Sequence, residues 1–176
     1  MSNLILALSK YERRVLMALL VRRRPRLDVA MRLLTHVGGW YTVLPISIVL
    51  TLWSPSAIGT AGALSLWAVV TSHLVVQLLK RSICRERPQM PVGLGFLVEP
   101  EDRFSFPSGH AASGIAMALP LGVALGGPIG IVLIVLGVGV GVSRCYLGVH
   151  YPGDVVVGWT LGVLGVVSGA LVGLPL

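Results

Sequence analysis

The 176-residue chain is 55% hydrophobic and only 12% charged, and it contains 22 glycines. This composition excludes an ordinary soluble protein, and the length leaves room for a single domain over residues 1–176. Its apolar runs are continuous and do not alternate, a pattern that fits a membrane β-barrel poorly. The net charge is +7, but we expect no nucleic-acid binding, because membrane topology and an anion site account for the basic residues. The chain is therefore predicted to be an integral membrane protein.

Residues 1–24 predict an amphipathic helix that lies along the membrane interface and does not cross it. Apolar side chains recur there at helical spacing, at Leu4, Leu8, Tyr11, Val15 and Leu19. Basic side chains fall between them, at Lys10, Arg13 and Arg14. In the next segment, RRRPRLD (22–28), Pro25 is expected to break this helix and lead the chain towards the first membrane span.

Five apolar windows follow, and each one predicts a helix that crosses the bilayer. A spanning helix needs about 20 residues to cross a hydrocarbon core about 30 Å thick. The windows lie at roughly 37–54, 58–79, 108–126, 128–146 and 155–175. We therefore expect an all-α fold, a polytopic membrane helix bundle of about five transmembrane helices plus the N-terminal interfacial helix. Closely packed helices are predicted by glycines four residues apart, at 137 and 141, 158 and 162, and 165 and 169.

The charged side chains predict the orientation of the bundle. They fall within 10–32 and 80–103 and at Arg144 and Asp154. If the N-terminal helix stays at the interface and the five predicted spans cross the membrane in turn, all of these positions lie on one face of the membrane. The turns near 54–55 and 126–128 carry no charged side chain. By the positive-inside rule, the charged face is expected to be cytoplasmic, in the inner membrane of a cell.

Three stretches on that face carry groups suited to binding a phosphoryl group. They are KRSICRERP (80–88), FPSGH (106–110) and SRCYLGVHYPGD (143–154). Arginine guanidinium groups match phosphate oxygens in paired geometry, and a helix N-terminus attracts anions. The candidate phosphate-binding residues are Lys80, Arg87, Ser108, Gly109 and Arg144.

Two histidines and one acid add the groups needed for nucleophilic catalysis. His150 and Asp154 are four residues apart, which fits one helical face, or a turn into a helix because Pro152 and Gly153 intervene. A carboxylate bonded to one imidazole nitrogen fixes the tautomer and leaves the other nitrogen free to attack. His110 then fits a general acid that protonates the leaving oxygen.

Together these stretches resemble the three-part signature of the type-2 phosphatidic acid phosphatase superfamily. The pattern reads K-x6-RP, then PSGH, then SR-x5-H-x3-D. All three parts are complete and in order, with the motifs spanning residues 80–154: Lys80, Arg87 and Pro88; Pro107, Ser108, Gly109 and His110; Ser143, Arg144, His150 and Asp154.

The resemblance implies a phosphatase that needs no metal or other cofactor and works through a phosphohistidine intermediate. In this chain, it implies that His150 attacks phosphorus while Asp154 orients the ring and stabilises its charge. His110 would protonate the leaving group and later activate water. The implied phosphate ligands are Lys80, Arg87, Ser108, Gly109 and Arg144.

The predicted activity is hydrolysis of a phosphomonoester or diphosphate on a lipid, because an anion site at the end of a membrane bundle meets headgroups directly. Phosphatidate, phosphatidylglycerol phosphate and polyprenyl phosphates or diphosphates are the candidate substrates. The alternative is a transporter that binds a phospholipid or prenyl phosphate without catalysis. A transporter would tolerate loss of the His150 imidazole, whereas the enzyme would not. A vanadate-dependent peroxidase fits a small membrane bundle less well.

Other polar residues have simpler interpretations. Arg81 and Arg85 are interpreted as topology anchors at the membrane surface. His36 and His73 are expected to pack or to form helix–helix hydrogen bonds. In the 89–106 loop and its flank, the acidic residues are expected to tune the mouth of the pocket, namely Glu99, Glu101 and Asp102.

Overall fold

The computed structural model describes residues 2–53 and 56–174, with side chains described from residue 10 onward. The regular elements of these ranges are seven α-helices. They are α1 (Ser2–Leu20), α2 (Pro25–Val37), α3 (Trp40–Trp53), α4 (Ala57–Ile83), α5 (Gly109–Leu125), α6 (Gly127–Tyr146) and α7 (Pro152–Leu171). The predicted turn at 54–55 and the end of the last predicted span, residue 175, lie outside the described residues.

The helices form the predicted all-α membrane bundle. Three of them, α4, α6 and α7, are long and apolar enough to cross a membrane, with 27, 20 and 20 residues. The pair α2 and α3, bent by 48°, passes the same test together as a broken span. α5 is apolar but has 17 residues. It packs against α3, α4, α6 and α7, so its surface is covered mainly by other helices.

The N-terminal region differs from the prediction. A single helix over residues 1–24 was expected, but α1 ends at Leu20 and a separate helix, α2, begins at Pro25. The first N–H of a helix has no partner within the helix, so proline, which lacks an N–H, costs nothing at this position. Its fixed φ is also helical, and Pro25 therefore starts a helix here. The predicted span 37–54 therefore missed α2 and the bend at Gly38 and Gly39, where α2 and α3 meet.

The predicted close helix packing is confirmed at several glycines. Gly158 and Gly162 of α7 lie against the backbone of α5, where a Cβ atom would collide with the carbonyl oxygens of Ser108 and Ala112. This approach brings the first turns of α5 and α7 together, and the backbone N–H of Ser108 donates to the backbone oxygen of Asp154 at 2.9 Å. Glycine packing thus places two of the three predicted motifs side by side.

Helix α1 packs one apolar edge against the end of the bundle. Leu16 and Leu20 are buried in a cluster with Ala111, Cys145 and Val155. Tyr11, on another face of the helix, is exposed. These contacts support an amphipathic α1, while its location in the membrane interface stays a prediction.

Candidate active site

The three sequence motifs converge on one cavity of about 210 Å³ at one end of the bundle. Six of the eight predicted site residues line it: Lys80, Arg87, Gly109, His110, Arg144 and His150. Ser108 and Asp154 are not among the lining residues and are fully buried beside them. The structure therefore brings the three motifs together at one cavity.

Helix ends hold most of these groups in position. Lys80 and Arg144 lie in the last turns of α4 and α6, and His110 lies in the first turn of α5. The oxygen Oγ of Ser108 caps α5 by accepting from the backbone N–H of Ala111 at 3.4 Å. A Cβ atom at Gly109 would meet only ordinary contact with Val76 at 3.7 Å, so protein packing does not require glycine there.

Buried cations surround the cavity. Arg144 is 3% exposed, and its Nη1 donates to Oγ1 of Thr35 at 2.9 Å. Within the described residues its buried Nε has no hydrogen-bond partner. Arg87 is held by backbone oxygens, with Nη1 donating to Val149 at 2.8 Å and Nε donating to Asp102 at 2.8 Å. Guanidinium groups fixed in this way have the geometry to donate to the oxygens of an anion.

His150 lies between a cation and a carboxylate. Its Nε2 is 3.5 Å from Nη1 of Arg87, and its Nδ1 is 3.6 Å from Oδ2 of Asp154, slightly long for a hydrogen bond. Burial, followed by the charges of Arg144, Arg87 and Lys80, lowers the pKa of His150 well below its usual value. The ring is therefore neutral near pH 7, and one of its nitrogens carries a free lone pair.

The sequence left two arrangements open for His150 and Asp154: one helical face, or a turn that leads into a helix. The structure shows the turn. His150 lies in the loop before α7, whereas Asp154 lies in the first helical turn. The Asp154 carboxylate accepts from the backbone N–H of Tyr151 at 2.8 Å and from Nη1 of Arg85 at 2.7 Å. These bonds fix the carboxylate beside the His150 ring.

Two acidic residues contact the catalytic candidates from the loop before α5. Asp102 forms ion pairs with both Lys80 and Arg87, the latter at 2.9 Å. Burial acts to raise the pKa of the Asp102 carboxyl, but the bonds and charges of Lys80 and Arg87 outweigh it and lower that pKa. Glu101 places Oε1 3.2 Å from Nε2 of His110. The acidic loop predicted to tune the pocket thus contacts it through Glu101 and Asp102, and Glu99 is not a lining residue.

Arg85 was interpreted as a topology anchor, and the structure shows contacts that this interpretation did not include. Its guanidinium binds Asp154 and also donates from Nη2 to Oε2 of Glu12 at 2.6 Å. It lies over the Tyr151 ring, 4.3 Å from the centroid. Glu12 also accepts from the backbone N–H of Gly153 at 2.8 Å. The signal in the sequence was an isolated acid, Glu12, on an otherwise basic helix.

Two other interpretations change in detail. His73 was expected to pack or to bond across helices, but its hydrogen-bond partner is Gln77 on the same helix, at 3.1 Å. His73 also lines the cavity. His36 is exposed at the end of α2, and its Nδ1 is 2.6 Å from the Tyr41 hydroxyl. Arg81 remains an exposed surface cation.

Substitution of Arg85 by glutamine is expected to lower kcat/KM for the lipid phosphate substrate that the motif resemblance implies by about 10- to 100-fold, because small misplacements of catalytic groups have effects of this size. The Asp154 carboxylate would lose its cationic partner, and α1 would lose its bond to Arg85. The loss should fall mainly on kcat, because Arg85 does not line the cavity. Steady-state kinetics of the purified variant test this expectation.

The matched control is Arg81→Gln, which removes the same charge from an exposed neighbour in sequence. It should leave both kinetic constants close to those of the unmodified protein. Equal losses in the two variants would show that surface charge, and not the position of Asp154, explains the effect of Arg85.

The fold and site together define a membrane helix bundle in which histidines and cationic side chains line one cavity. A family model for the PAP2 superfamily matches residues 61–172, and the chain belongs to this superfamily. This finding confirms the resemblance seen in the three motifs.

Individual relatives carry names of lipid phosphatases. The chain is 43% identical over 91 residues to decaprenylphosphoryl-5-phosphoribose phosphatase of Mycobacterium tuberculosis, covering 52% of this chain and 49% of that protein. The chain thus spans about half the length of that relative. It is 32% identical over 160 residues to phosphatidylglycerophosphatase B of Bacillus subtilis, covering 81% of this chain and 73% of that protein.

The fold also has a close match among solved structures. The crystal structure of a transmembrane PAP2 type phosphatidylglycerolphosphate phosphatase from Bacillus subtilis superimposes with a TM-score of 0.77 at 28% identity. The match covers 94% of this chain and 86% of that one. The likeness therefore extends well beyond the motif region, over nearly the whole bundle.

Proposed function

We propose that this protein is an integral membrane phosphatase that hydrolyses a phosphomonoester or diphosphate on a lipid. The observation that carries the proposal is that His110 and His150 line one cavity together with the cations Lys80, Arg87 and Arg144. Membership of the PAP2 superfamily and the lipid phosphatase names of the relatives support it. Phosphatidate, phosphatidylglycerol phosphate and polyprenyl phosphates or diphosphates are the candidate substrates.

In the first step, the phosphoryl oxygens replace Asp102 as the partner of Lys80 and Arg87. Arg144 and the backbone N–H groups at the start of α5 complete the set of donors. The lone pair on Nε2 of His150 forms a bond to phosphorus, while the bond from phosphorus to the leaving oxygen breaks. His110 donates a proton to that oxygen as its electron pair departs.

In the second step, water attacks the phosphohistidine, and His110 accepts the proton that the water loses. The bond between phosphorus and nitrogen breaks, inorganic phosphate leaves and neutral His150 is restored. The negative charge of Asp154 stabilises the positive ring of the intermediate from the Nδ1 side. Each phosphoryl group is thus transferred twice, first to His150 and then to water. Side-chain cations stabilise the negative charge of the phosphoryl oxygens, so the proposed mechanism requires no metal or other cofactor.

We further propose that the active-site face is cytoplasmic, in a cell inner membrane. Lys80, Arg87 and Arg144 belong to the site and lie on its face in either orientation. The argument therefore depends on the N-terminal region, whose many arginines between 13 and 32 are not lining residues of the active-site cavity. Such clusters are retained on the cytoplasmic side during insertion.

Phosphate release from a panel of lipids tests the proposed activity. The purified full-length chain in detergent micelles, with EDTA present, is expected to release phosphate from at least one of phosphatidate, phosphatidylglycerol phosphate, polyprenyl phosphate and polyprenyl diphosphate. Folding is checked separately by thermal unfolding of the same sample. Folded protein that binds these lipids and releases no phosphate from any of them would contradict the proposal and favour the transporter.

A further inference from the structure

One face of α4 carries four cavity-lining residues, and the proposed mechanism uses only one of them, Lys80. His73, Val76, Gln77 and Lys80 all line the active-site cavity. Their spacing of three, four and seven residues places them on one helical face. With a rise of about 1.5 Å per residue, Gln77 lies about 4.5 Å and His73 about 10 Å from Lys80 along the helix axis. The cavity therefore extends from the phosphoryl-binding cations towards the middle of a membrane-spanning helix.

The hydrogen bond between His73 and Gln77 leaves unused donors and acceptors in this part of the cavity. Nε2 of Gln77 is 3.1 Å from Nε2 of His73. An amide nitrogen can only donate, so Nε2 of His73 accepts, and Nδ1 carries the proton of the neutral ring. Among the described residues, neither Nδ1 of His73 nor the amide oxygen of Gln77 forms a further hydrogen bond. The Nδ1–H of His73, the second N–H of the Gln77 amide and the Gln77 amide oxygen thus remain for a ligand.

A polar pair at this position is costly unless it has a binding partner. Ionisable side chains inside transmembrane helices are expensive and commonly mark the path of a substrate. An acyl or prenyl chain forms no hydrogen bonds, so apolar side chains would bind it better than this polar pair. Both side chains are half-buried, which is the exposure expected of groups on a cavity wall. A hydroxyl group, which donates and accepts at once, can pair with the free acceptor and with one of the free donors.

The apolar surface for the lipid chain begins where this pair ends. A second cavity of about 170 Å³ lies between α3 and α4 and shares His73 and Trp40 with the active-site cavity. Its other lining residues are apolar: Leu44, Val69, Val70 and Leu74. The order along α4 is therefore phosphoryl site, polar pair, then apolar surface.

We propose that His73 and Gln77 form a subsite for a hydroxyl group on a linker between the reactive phosphomonoester and the lipid. The inference rests on the proposed phosphatase activity and specifies its substrate class. The preferred substrate is a lipid in which a hydroxylated linker, such as glycerol or a sugar, carries the phosphomonoester at one end and the lipid at the other. A polyprenyl diphosphate has no such linker, and in phosphatidate the glycerol hydroxyls are esterified.

The test compares phosphatidylglycerol phosphate with an analogue in which propane-1,3-diol replaces the headgroup glycerol. The two lipids differ by one hydroxyl group. Wild-type protein is expected to prefer the hydroxylated lipid about tenfold or more in kcat/KM, because a well-placed hydrogen bond contributes on that scale. In Gln77→Met and in His73→Leu, the ratio of the two kcat/KM values is expected to fall towards one.

Thr71→Val is the matched control. It removes a polar group from the same helix, but the Thr71 hydroxyl donates to the backbone oxygen of Trp67 at 2.8 Å and does not line the active-site cavity. It should retain the wild-type ratio. The ratio of the two kcat/KM values is interpreted only for variants whose thermal unfolding matches that of the wild type. Gln77→Met and His73→Leu test the subsite independently.

The possible outcomes separate this inference from the activity on which it rests. Equal turnover of the two lipids by wild-type protein, or an unchanged ratio in folded Gln77→Met and His73→Leu, would overturn the hydroxyl subsite and leave the phosphatase proposal intact. Absence of turnover on every lipid of the panel would overturn both.

Discussion

Replacement of His150 by alanine is expected to lower phosphate release from the best lipid substrate by about 10⁴-fold or more, because no other group can form the covalent intermediate. His150 is 2% exposed and lies between Arg87 and Asp154, so no described imidazole can take its place without a large rearrangement. The measurement is phosphate release under saturating lipid, with enzyme concentration high enough to detect the residual rate.

The cationic half of the site should survive this substitution. Lys80, Arg87 and Arg144 remain, and the smaller side chain leaves more room for an anion. Inorganic phosphate is therefore expected to stabilise His150→Ala against thermal unfolding, as it does any protein whose native state alone binds it. This combination, binding retained and turnover lost, distinguishes loss of the nucleophile from loss of the fold.

His36→Ala is the matched control, since that histidine is exposed at the end of α2 and does not line the cavity. It should retain turnover. A His150→Ala protein that turns over lipid at more than about one hundredth of the normal rate would assign the nucleophile to another group, given the size of the loss expected for a missing nucleophile.

Sequence patterns predicted the bundle and the convergence of its motifs because both depend on local and compositional signals. Continuous apolar windows follow from the length needed to cross a bilayer, and α4, α6 and α7 match them. The motif residues carry chemistry that is recognisable by residue type and order. Six of them therefore lie on one cavity wall as expected.

The features that sequence patterns missed depend on tertiary contacts or on one ambiguous residue. Pro25 is compatible with the end of one helix and with the start of the next, and only the packed bundle shows that α2 begins there. Arg85 reads as one of several surface cations, because its partners Glu12 and Asp154 are 73 and 69 residues away in the chain. Such pairings have no period or local spacing from which they can be predicted.

The hydrogen bond between His73 and Gln77 illustrates a different limit. Its spacing of four residues is visible in the sequence, but that spacing alone does not distinguish a lipid-facing pair from one on a cavity wall. The structure makes the distinction because His73 and Gln77 line the same cavity as Lys80, which lies three residues beyond Gln77 on the same face of α4. The position of the proposed anion site thus suggests a role for a polar pair that would otherwise be interpreted as packing.

The role of His110 as the proton donor predicts a dependence on the leaving group. His110→Ala is expected to lower kcat for a lipid alkyl phosphate by about 10²- to 10⁴-fold, the usual range for loss of a general acid. An aryl phosphate such as p-nitrophenyl phosphate releases a stable anion that needs no proton. Its first step should therefore be nearly unaffected in the variant.

Loss of the same ring should slow the second step, because His110 also accepts the proton from the attacking water. With the aryl phosphate, His110→Ala is therefore expected to release a burst of about one nitrophenolate per enzyme and then turn over slowly, the kinetic sign of a covalent intermediate. Mass spectrometry under alkaline conditions should locate the phosphoryl group on His150. Adding His150→Ala to this variant should remove the burst. Equal losses on alkyl and aryl substrates, with no burst, would show that His110 binds the phosphoryl group and transfers no proton.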